Sequence, residues 1–240
     1  MEIGLGRLQL FEEQAVIRRM GGLKALRVLM GVMVVVLPGL AGCQLGGGGK
    51  PGQLTYKLPT TLTVHVGAEL PGSGIRYERM GKDGAEVTIR GQQALKRKGD
   101  SLDWSGNPIP GVSIDLKQRV VWYTEEELRL VGTAKIVIDD VNPQPATGSP
   151  TSPVKYTGPV AYSVSKGAAI PGTVVTFEGQ DTDGAKLGGI QGYPYRKGGD
   201  SILWEGALRE GVYIRLDVRV LQFDGKGMRV GGLVTLWIGS

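Results

Sequence analysis

The chain has 240 residues, of which 41% are hydrophobic and 6% aromatic, which is enough apolar material for ordinary globular cores. Its formal net charge is +5, but residues 1–42 carry five basic and three acidic side chains, so 23 basic and 20 acidic residues remain beyond them. This balance lacks the dense basic face that phosphate binding needs, and we therefore expect no nucleic-acid partner.

A signal-peptide layout begins at Met20 with the segment MGGLKALRVLMGVMVVVLPGLAGC. Lys24 and Arg27 form a short basic region, and an apolar run follows from Val28 to Leu37. The run is shorter than the roughly 20 apolar residues that a membrane-spanning helix needs. The charged residues 1–19 do not fit this layout, and Met20 as the true start of translation is the simplest account of them.

Leu40-Ala41-Gly42-Cys43 closes this segment. It resembles the lipobox of bacterial lipoproteins, whose cysteine becomes the lipidated first residue of the mature chain. The resemblance covers residues 20–43 and implies a thioether-linked diacylglycerol on Cys43, often with a third acyl chain. Two or more acyl chains give stable anchoring, so it also implies export to the cell envelope, on the outer face of the plasma membrane or in the outer membrane. The alternative is a free core cysteine.

Cys43 is the only cysteine of the chain, which excludes an intramolecular disulfide and any cysteine-based metal or redox site. Composition divides the chain into five segments. These are residues 1–42 (extension and signal peptide), 43–53 (lipidated cysteine and Gly-rich tether), 54–138 (first β-domain), 139–153 (Pro/Ser/Thr-rich linker) and 154–240 (second β-domain).

The two predicted β-domains are related by an internal repeat. Residues 54–138 align with residues 154–238 at a constant offset of 100 without a gap, and 25 of the 85 positions are identical. This similarity predicts a tandem duplication of one small domain.

The hydrophobic period within each copy is that of strands. From Val112 and from Val212 the even-numbered residues are mostly apolar and the odd-numbered ones mostly polar. Glycine contributes 40 residues, more than twice its usual share of about 7%, which indicates many turns. We therefore predict an all-β protein of two small antiparallel β-barrels or β-sandwiches, with Gly132 and Gly232 at the bend or bulge that closes each sheet.

The longest predicted hairpin has a definite register. A three-residue loop would place Tyr123 opposite Arg129, with the guanidinium over the aromatic ring, and Phe223 would face Arg229 in the same way. The same register would place Trp122 on the core face.

A short motif occurs once in each copy, as KRKGDSLDWSG and as RKGGDSILWEG. Gly99, Asp100 and Ser101 fit a turn, and Trp104 follows it. The motif is either a ligand site, with the indole as a stacking face, or a turn followed by a buried tryptophan. We favour the turn, because a repeated fold needs it in both copies.

The copies differ where the first has Gln93-Ala94-Leu95 and the second has Tyr193-Pro194-Tyr195 before Arg196. Two tyrosines beside a basic residue are typical of a stacking surface for a sugar ring or an aromatic-rich protein patch. The candidate ligand-binding residues are therefore Tyr193, Tyr195, Arg196, Trp204 and Trp104. The alternative is that one or both tyrosine rings are core.

Catalytic and metal sites find little support. His65 is the only histidine and is replaced by Ser165 in the second copy, so no histidine-based triad or metal site can be assembled. Asp181-Thr182-Asp183-Gly184 begins like a calcium loop but lacks the glycine and glutamate required further on, so a β-turn is expected. The carboxylates show no spacing that selects an acid and base pair.

The sequence thus predicts no enzyme and no cofactor. The expected function is a non-catalytic module, tethered to the membrane, that binds an envelope glycan or polymer. The alternative is a structural or accessory subunit that docks on another envelope protein through a sheet edge or an apolar patch.

Overall fold

The structure is a computed structural model and describes residues 51–146 and 150–239. Within these ranges the chain is all-β and has no helix, in agreement with the predicted fold class. Cys43, the signal peptide and most of the tether lie outside the described residues. Residues 51–146 and 150–239 contain no helix that is long and apolar enough to cross a membrane.

Eight strands form the first half: β1 (Leu54–His65), β2 (Glu69–Leu70), β3 (Ile75–Met80), β4 (Ala85–Ile89), β5 (Gln92–Lys96), β6 (Trp104–Ile109), β7 (Val112–Tyr123) and β8 (Glu127–Ile138). The connecting segment contains β9 (Gln144–Pro145). The second half contains β10 (Val154–Ser165), β11 (Thr176–Asp181), β12 (Gly184–Gly188), β13 (Tyr195–Arg196), β14 (Ser201–Arg209), β15 (Val212–Phe223) and β16 (Gly227–Ile238).

Each half has one large and one small antiparallel sheet. The large sheets have the orders β1-β8-β7-β6 and β10-β16-β15-β14-β9, and the small sheets have the orders β2-β3-β4-β5 and β11-β12-β13. The large sheets use the same register at an offset of 100, since Leu54 pairs with Ile138 and Val154 pairs with Ile238. All four sheets are open, so the predicted β-barrel alternative is wrong for the described residues.

The even-numbered residues of the long strands face the core, as their period indicates. The buried side chains of both halves form a single hydrophobic cluster, and residues 51–146 and 150–239 belong to one compact unit. The sequence predicts a separate core in each half, whereas the buried residues of the two halves join in this one cluster.

The contacts between the halves are reciprocal. A Cβ added at Gly172 would lie 3.2 Å from the Leu54 side chain, and one added at Gly72 would lie 3.5 Å from the Val154 side chain. These two pairs exchange their positions under the offset of 100, which is the pattern that an approximate twofold axis produces. At Gly158 a Cβ would lie 3.0 Å from Leu58, at the equivalent position of the other half.

The long hairpin differs from the predicted register. Thr124 donates its N–H to the Glu127 carbonyl at 2.9 Å, and a β-bulge lies between Val120 and Trp122. The bulge reverses the parity of the strand, so Trp122 is opposite Arg129 and is 49% exposed. The predicted Tyr123–Arg129 pair and the core position of Trp122 are therefore wrong.

The same bulge recurs in the second half between Val220 and Gln222, so Phe223 is opposite Met228 and not Arg229. The predicted bend or bulge at Gly132 and Gly232 is wrong, because both glycines lie in regular strand pairing. A Cβ at Gly132 would strike the Lys117 carbonyl of β7, so this glycine permits close approach of neighbouring strands.

Candidate functional site

The repeated motif forms a turn in both halves. Gly99 and Gly199 have φ of 88° and 90°, a region that favours glycine. The Arg97 N–H donates to the Asp100 carboxylate at 2.7 Å, and the Lys197 N–H donates to Asp200 at the same distance. The carboxylates thus cap their own turns, as expected for the structural interpretation.

An arginine that occurs in both halves holds this turn against the neighbouring strand. Nη1 of Arg119 donates to the Gly99 carbonyl at 3.0 Å, and Nη1 of Arg219 donates to the Gly199 carbonyl at 3.0 Å. The Asp100 and Asp200 carboxylates and the Arg119 and Arg219 guanidinium groups are therefore engaged within the turn itself in both halves.

The two tryptophans of the motif pack inside the fold. Trp204 is only 7% exposed and belongs to the core cluster, and Trp104 is half-buried. Each indole lies over a glycine two residues further along its strand, Gly106 or Gly206, where a Cβ would collide with the ring. The structure does not bring either tryptophan to the exposed tyrosines.

Tyr193 and Tyr195 do come together. Their ring centroids are 5.5 Å apart with an interplanar angle of 57°, and Tyr193 is 63% exposed while Tyr195 is half-buried. This tilted geometry is one that aromatic pairs prefer. The pair presents an aromatic surface to solvent, which we call the Tyr193 surface and define by Tyr193, Tyr195 and the residues of the depression beside them.

Arg196 positions this pair instead of extending into solvent. Its Nη1 donates to the Tyr193 carbonyl at 2.6 Å and to the Tyr195 carbonyl at 2.8 Å, and its Nε donates to the Ser201 carbonyl at 3.1 Å. Three hydrogen bonds from one guanidinium fix the loop geometry. Arg196 therefore acts through the backbone of the two tyrosines.

An open depression of about 290 Å³ lies beside the rings. Its lining residues include Tyr193, Tyr195, Lys197, Asp183 and Ser201. Aromatic faces next to hydroxyl, ammonium and carboxylate groups can stack on a sugar ring and hydrogen-bond its hydroxyls.

The Asp181 carboxylate and the Tyr195 phenol, which lie beside the depression, have pKa values shifted away from neutral pH. Hydrogen bonds from the Thr182 N–H and hydroxyl hold the pKa of Asp181 below its usual range. Partial burial, and then the charge of Asp181, raise the pKa of Tyr195, whose hydroxyl lies 3.4 Å from that carboxylate. The phenol is consequently protonated and can donate a hydrogen bond.

Proline explains why the second half has this surface and the first does not. In the first half β5 pairs with β4 over five residues, including Gln93 and Leu95. Pro194 has no N–H to donate, and β13 shrinks to Tyr195–Arg196, with only the Pro194 carbonyl bonded to the Leu187 N–H at 2.8 Å. Tyr193 is thereby released from the sheet.

The Asp181–Gly184 segment forms the β11–β12 hairpin turn, as expected. Across residues 51–146 and 150–239, no group of three or more His, Cys, Asp or Glu side chains is placed to hold a metal ion. His65 lies exposed at the end of β1, opposite Glu127.

Two exposed features were missed by the sequence reasoning. Lys98 places its ammonium 3.7 Å from the ring centroid of Trp122, a cation–π contact that the bulge makes possible. Leu203, Leu221 and Leu233 are exposed on the outer face of the second large sheet. Comparison with Asp103 and Thr133 at an offset of 100 would have revealed this second feature.

The edges of the large sheets are interrupted by proline. Strands β1, β6, β9 and β10 form these edges, and they contain Pro59, Pro108, Pro145 and Pro159. Because proline lacks an N–H, it disfavours pairing with a further strand.

Comparison of the chain with protein-family models, with curated proteins and with solved structures finds no match.

Proposed function

We propose that this protein is a bacterial lipoprotein that is anchored to the cell envelope at Cys43 and binds an envelope glycan through the Tyr193 surface, without catalysis. In this proposal the chain arose by tandem duplication, and the second half acquired the binding surface. The matching registers of the large sheets and the identical residues at an offset of 100 support the duplication.

The observation that carries the binding proposal is the exposed Tyr193–Tyr195 pair beside a polar depression. An exposed tyrosine contributes no buried surface to the stability of the core. Arg196 nevertheless holds the loop that presents Tyr193 with three hydrogen bonds. Such preorganisation is typical of a recognition surface, because it lowers the ordering cost of binding.

Co-sedimentation with purified peptidoglycan sacculi tests the binding proposal. The full-length chain, solubilised in detergent from the producing bacterium, should sediment with sacculi, and Tyr193→Ala or Tyr195→Ala should weaken binding about tenfold. Gln93→Ala and Leu95→Ala, at the matching positions of the first half, should bind as the unsubstituted chain does. Equal losses in both halves, or no loss in either, would refute the proposal.

Labelling with a radioactive fatty acid tests the anchor. The unsubstituted chain should incorporate the label and partition with membranes, and Cys43→Ala should do neither. Unchanged labelling of Cys43→Ala would overturn the anchoring part of the proposal and leave the sacculus result to stand alone.

The alternative function, docking on another envelope protein, is favoured by one observation. On the outer face of the second half, exposed Leu203 and Leu233 stand where the first half has Asp103 and Thr133, and with Leu221 they form an apolar patch. Docking through a strand edge is disfavoured by the four edge prolines, so the patch is the surface that an accessory role would use.

A further inference from the structure

The outer face of the second large sheet carries a patch of three exposed leucines. Leu203, Leu221 and Leu233 are 55%, 59% and 51% exposed. Leu203 and Leu233 pair with Asp217 from its two sides, in one row across β14, β15 and β16. Leu221 leans toward this row, since a Cβ at Gly231 would lie 3.0 Å from it.

The first half treats the equivalent row differently. Asp103 and Thr133 replace the two leucines, and Lys117 replaces the aspartate. The Lys117 ammonium lies 3.7 Å from Asp103 and 3.5 Å from Asp115, so the row is polar and its charges are compensated. A row of this kind suits a surface that faces water.

Asp217, the charged residue of the equivalent row in the second half, is not compensated in this way. None of the ion pairs found within the described ranges includes Asp217, although the carboxylate is exposed between two leucines. The next row on the same face carries Arg219, opposite Gly231. If the patch entered a bilayer, the unpaired Asp217 carboxylate would be buried among hydrocarbon, which is unfavourable. The patch is therefore better suited to a protein partner that places a cation opposite Asp217.

We propose that this partner is a second copy of the chain, packed face to face through the outer faces of β14, β15 and β16. A twofold axis lying in the interface and crossing the strands between the rows of Asp217 and Arg219 places Asp217 of each copy opposite Arg219 of the other. The same axis places Leu233 opposite Gly231 of the second copy, where the Leu221 side chain covers the glycine, so leucine meets leucine. The surface is self-complementary in charge and in apolar character.

The available area indicates a weak dimer. Pro150 lies beside Tyr213 and Trp237 at one end of the face. A stretch of about eight residues on each of the three strands, at about 3.3 Å per residue and 4.8 Å per strand, covers about 380 Å² per copy, or about 760 Å² in total. Such an area is below that of stable interfaces and is typical of a weak, transient contact, whose effective concentration confinement to a membrane would raise.

Sedimentation equilibrium in density-matched detergent tests the dimer. The full-length chain should show a monomer–dimer equilibrium. Asp217→Arg and Arg219→Asp should each weaken the dimer about tenfold, and the double variant should restore it, because the exchanged pair is again opposite in sign. Arg119→Asp is the matched control, since it removes the same turn hydrogen bond in the first half, and it should leave the dimer unchanged.

A second pair of variants keeps the test independent of that turn. Leu233→Glu should abolish the dimer, whereas Thr133→Glu at the equivalent position should not. An unsubstituted chain that stays monomeric at all concentrations would contradict the proposal, as would a folded double variant that fails to restore the dimer or equal effects of Leu233→Glu and Thr133→Glu.

Discussion

The two halves of this molecule use one framework and fill it with different side chains. In the first half, Gln118 is buried in the core and its amide donates to the Thr60 hydroxyl at 2.8 Å and to the Thr133 carbonyl at 3.1 Å. The second half has Val218 and Val160 at the equivalent positions. The same backbone therefore accepts a polar pair or an apolar pair, which shows that the strand register does not depend on either.

The surfaces diverge more than the cores. The first half presents a paired strand at Gln93–Leu95 and a charged outer row, whereas the second presents the Tyr193 surface and exposed leucines. Because both differences lie outside the shared core, they could change without disturbing the framework. This division supports a framework role for the first half and a recognition role for the second.

The largest expected effect concerns the framework that both halves share. Gly132→Ala and Gly232→Ala each place a Cβ against a carbonyl of the neighbouring strand, at Lys117 and Asp217, and this backbone cannot move aside as a side chain would. We expect each to lower the free energy of unfolding by about 3 kcal/mol in urea denaturation. Gly225→Ala, in open space at the hairpin turn, is the control and should change it by less than about 0.5 kcal/mol. Equal stability of all three variants would contradict the close-approach argument.

The next effect concerns the interface between the halves. Burial raises the pKa of Tyr156 and of Tyr162 to about 12, and burial followed by the nearby Tyr162 raises that of Tyr56 well above its usual value. The hydroxyls of Tyr56 and Tyr162 influence each other but lack hydrogen-bond partners of normal geometry.

These pKa values predict an alkaline loss of stability. The folded state keeps the phenol protons while the unfolded chain releases them near pH 10, so the tyrosine contribution to stability is constant below pH 10 and falls between about pH 10 and 12. We expect a loss of about 2 kcal/mol per buried tyrosine between pH 9 and pH 11.5, measured by urea unfolding at both values. Tyr162→Phe should reduce this total loss by the contribution of one tyrosine. An unaltered pH dependence in this variant would refute the assignment.

A smaller effect sharpens the difference between the two cores. Gln118→Val leaves the Thr60 hydroxyl without its buried partner and should cost about 1 to 2 kcal/mol of unfolding free energy. Gln118→Val together with Thr60→Val reproduces the pattern of the second half and should recover most of that loss. A double variant that is less stable than the single one would show that the halves are not interchangeable at this site.

The smallest effect concerns Arg129, which pairs with Glu127 at 2.6 Å in an exposed position. Since exposed ion pairs contribute little, Arg129→Ala should change the free energy of unfolding by at most about 0.5 kcal/mol and leave binding intact. Loss of sacculus binding by a folded Arg129→Ala chain would assign this residue a role that the present account does not include.

The strands and their inward faces could be predicted from alternation, because the period of two is set by backbone geometry. The bulges at Val121 and Leu221 could not, since neither position carries glycine or any other residue that marks a bulge, and one missed residue reversed the predicted environment of Trp122. The shared core was also missed, because an apolar face does not specify which sheet will cover it.

The sequence predicts an aromatic pair at Tyr193 and Tyr195 and leaves open whether the rings are core. The structure brings the two rings together, with Tyr193 exposed and Tyr195 half-buried. Trp204 was grouped with that pair on residue type alone, yet its even position on β14 directs it to the core. The guanidinium of Arg196 was expected to face a ligand, and only the carbonyl positions around it reveal that it holds the loop.

Exchange of the differing loop residues tests most directly whether recognition belongs to the second half. In the full-length chain, replacing Tyr193, Pro194 and Tyr195 by Gln, Ala and Leu copies the first half's residues at this position. Isothermal titration with soluble glycan-strand fragments of peptidoglycan should then show affinity at least about tenfold weaker than that of the unsubstituted chain, while Gln93→Ala with Leu95→Ala leaves it unchanged. Equal affinity in the exchanged chain, with its fold intact by circular dichroism, would contradict the account.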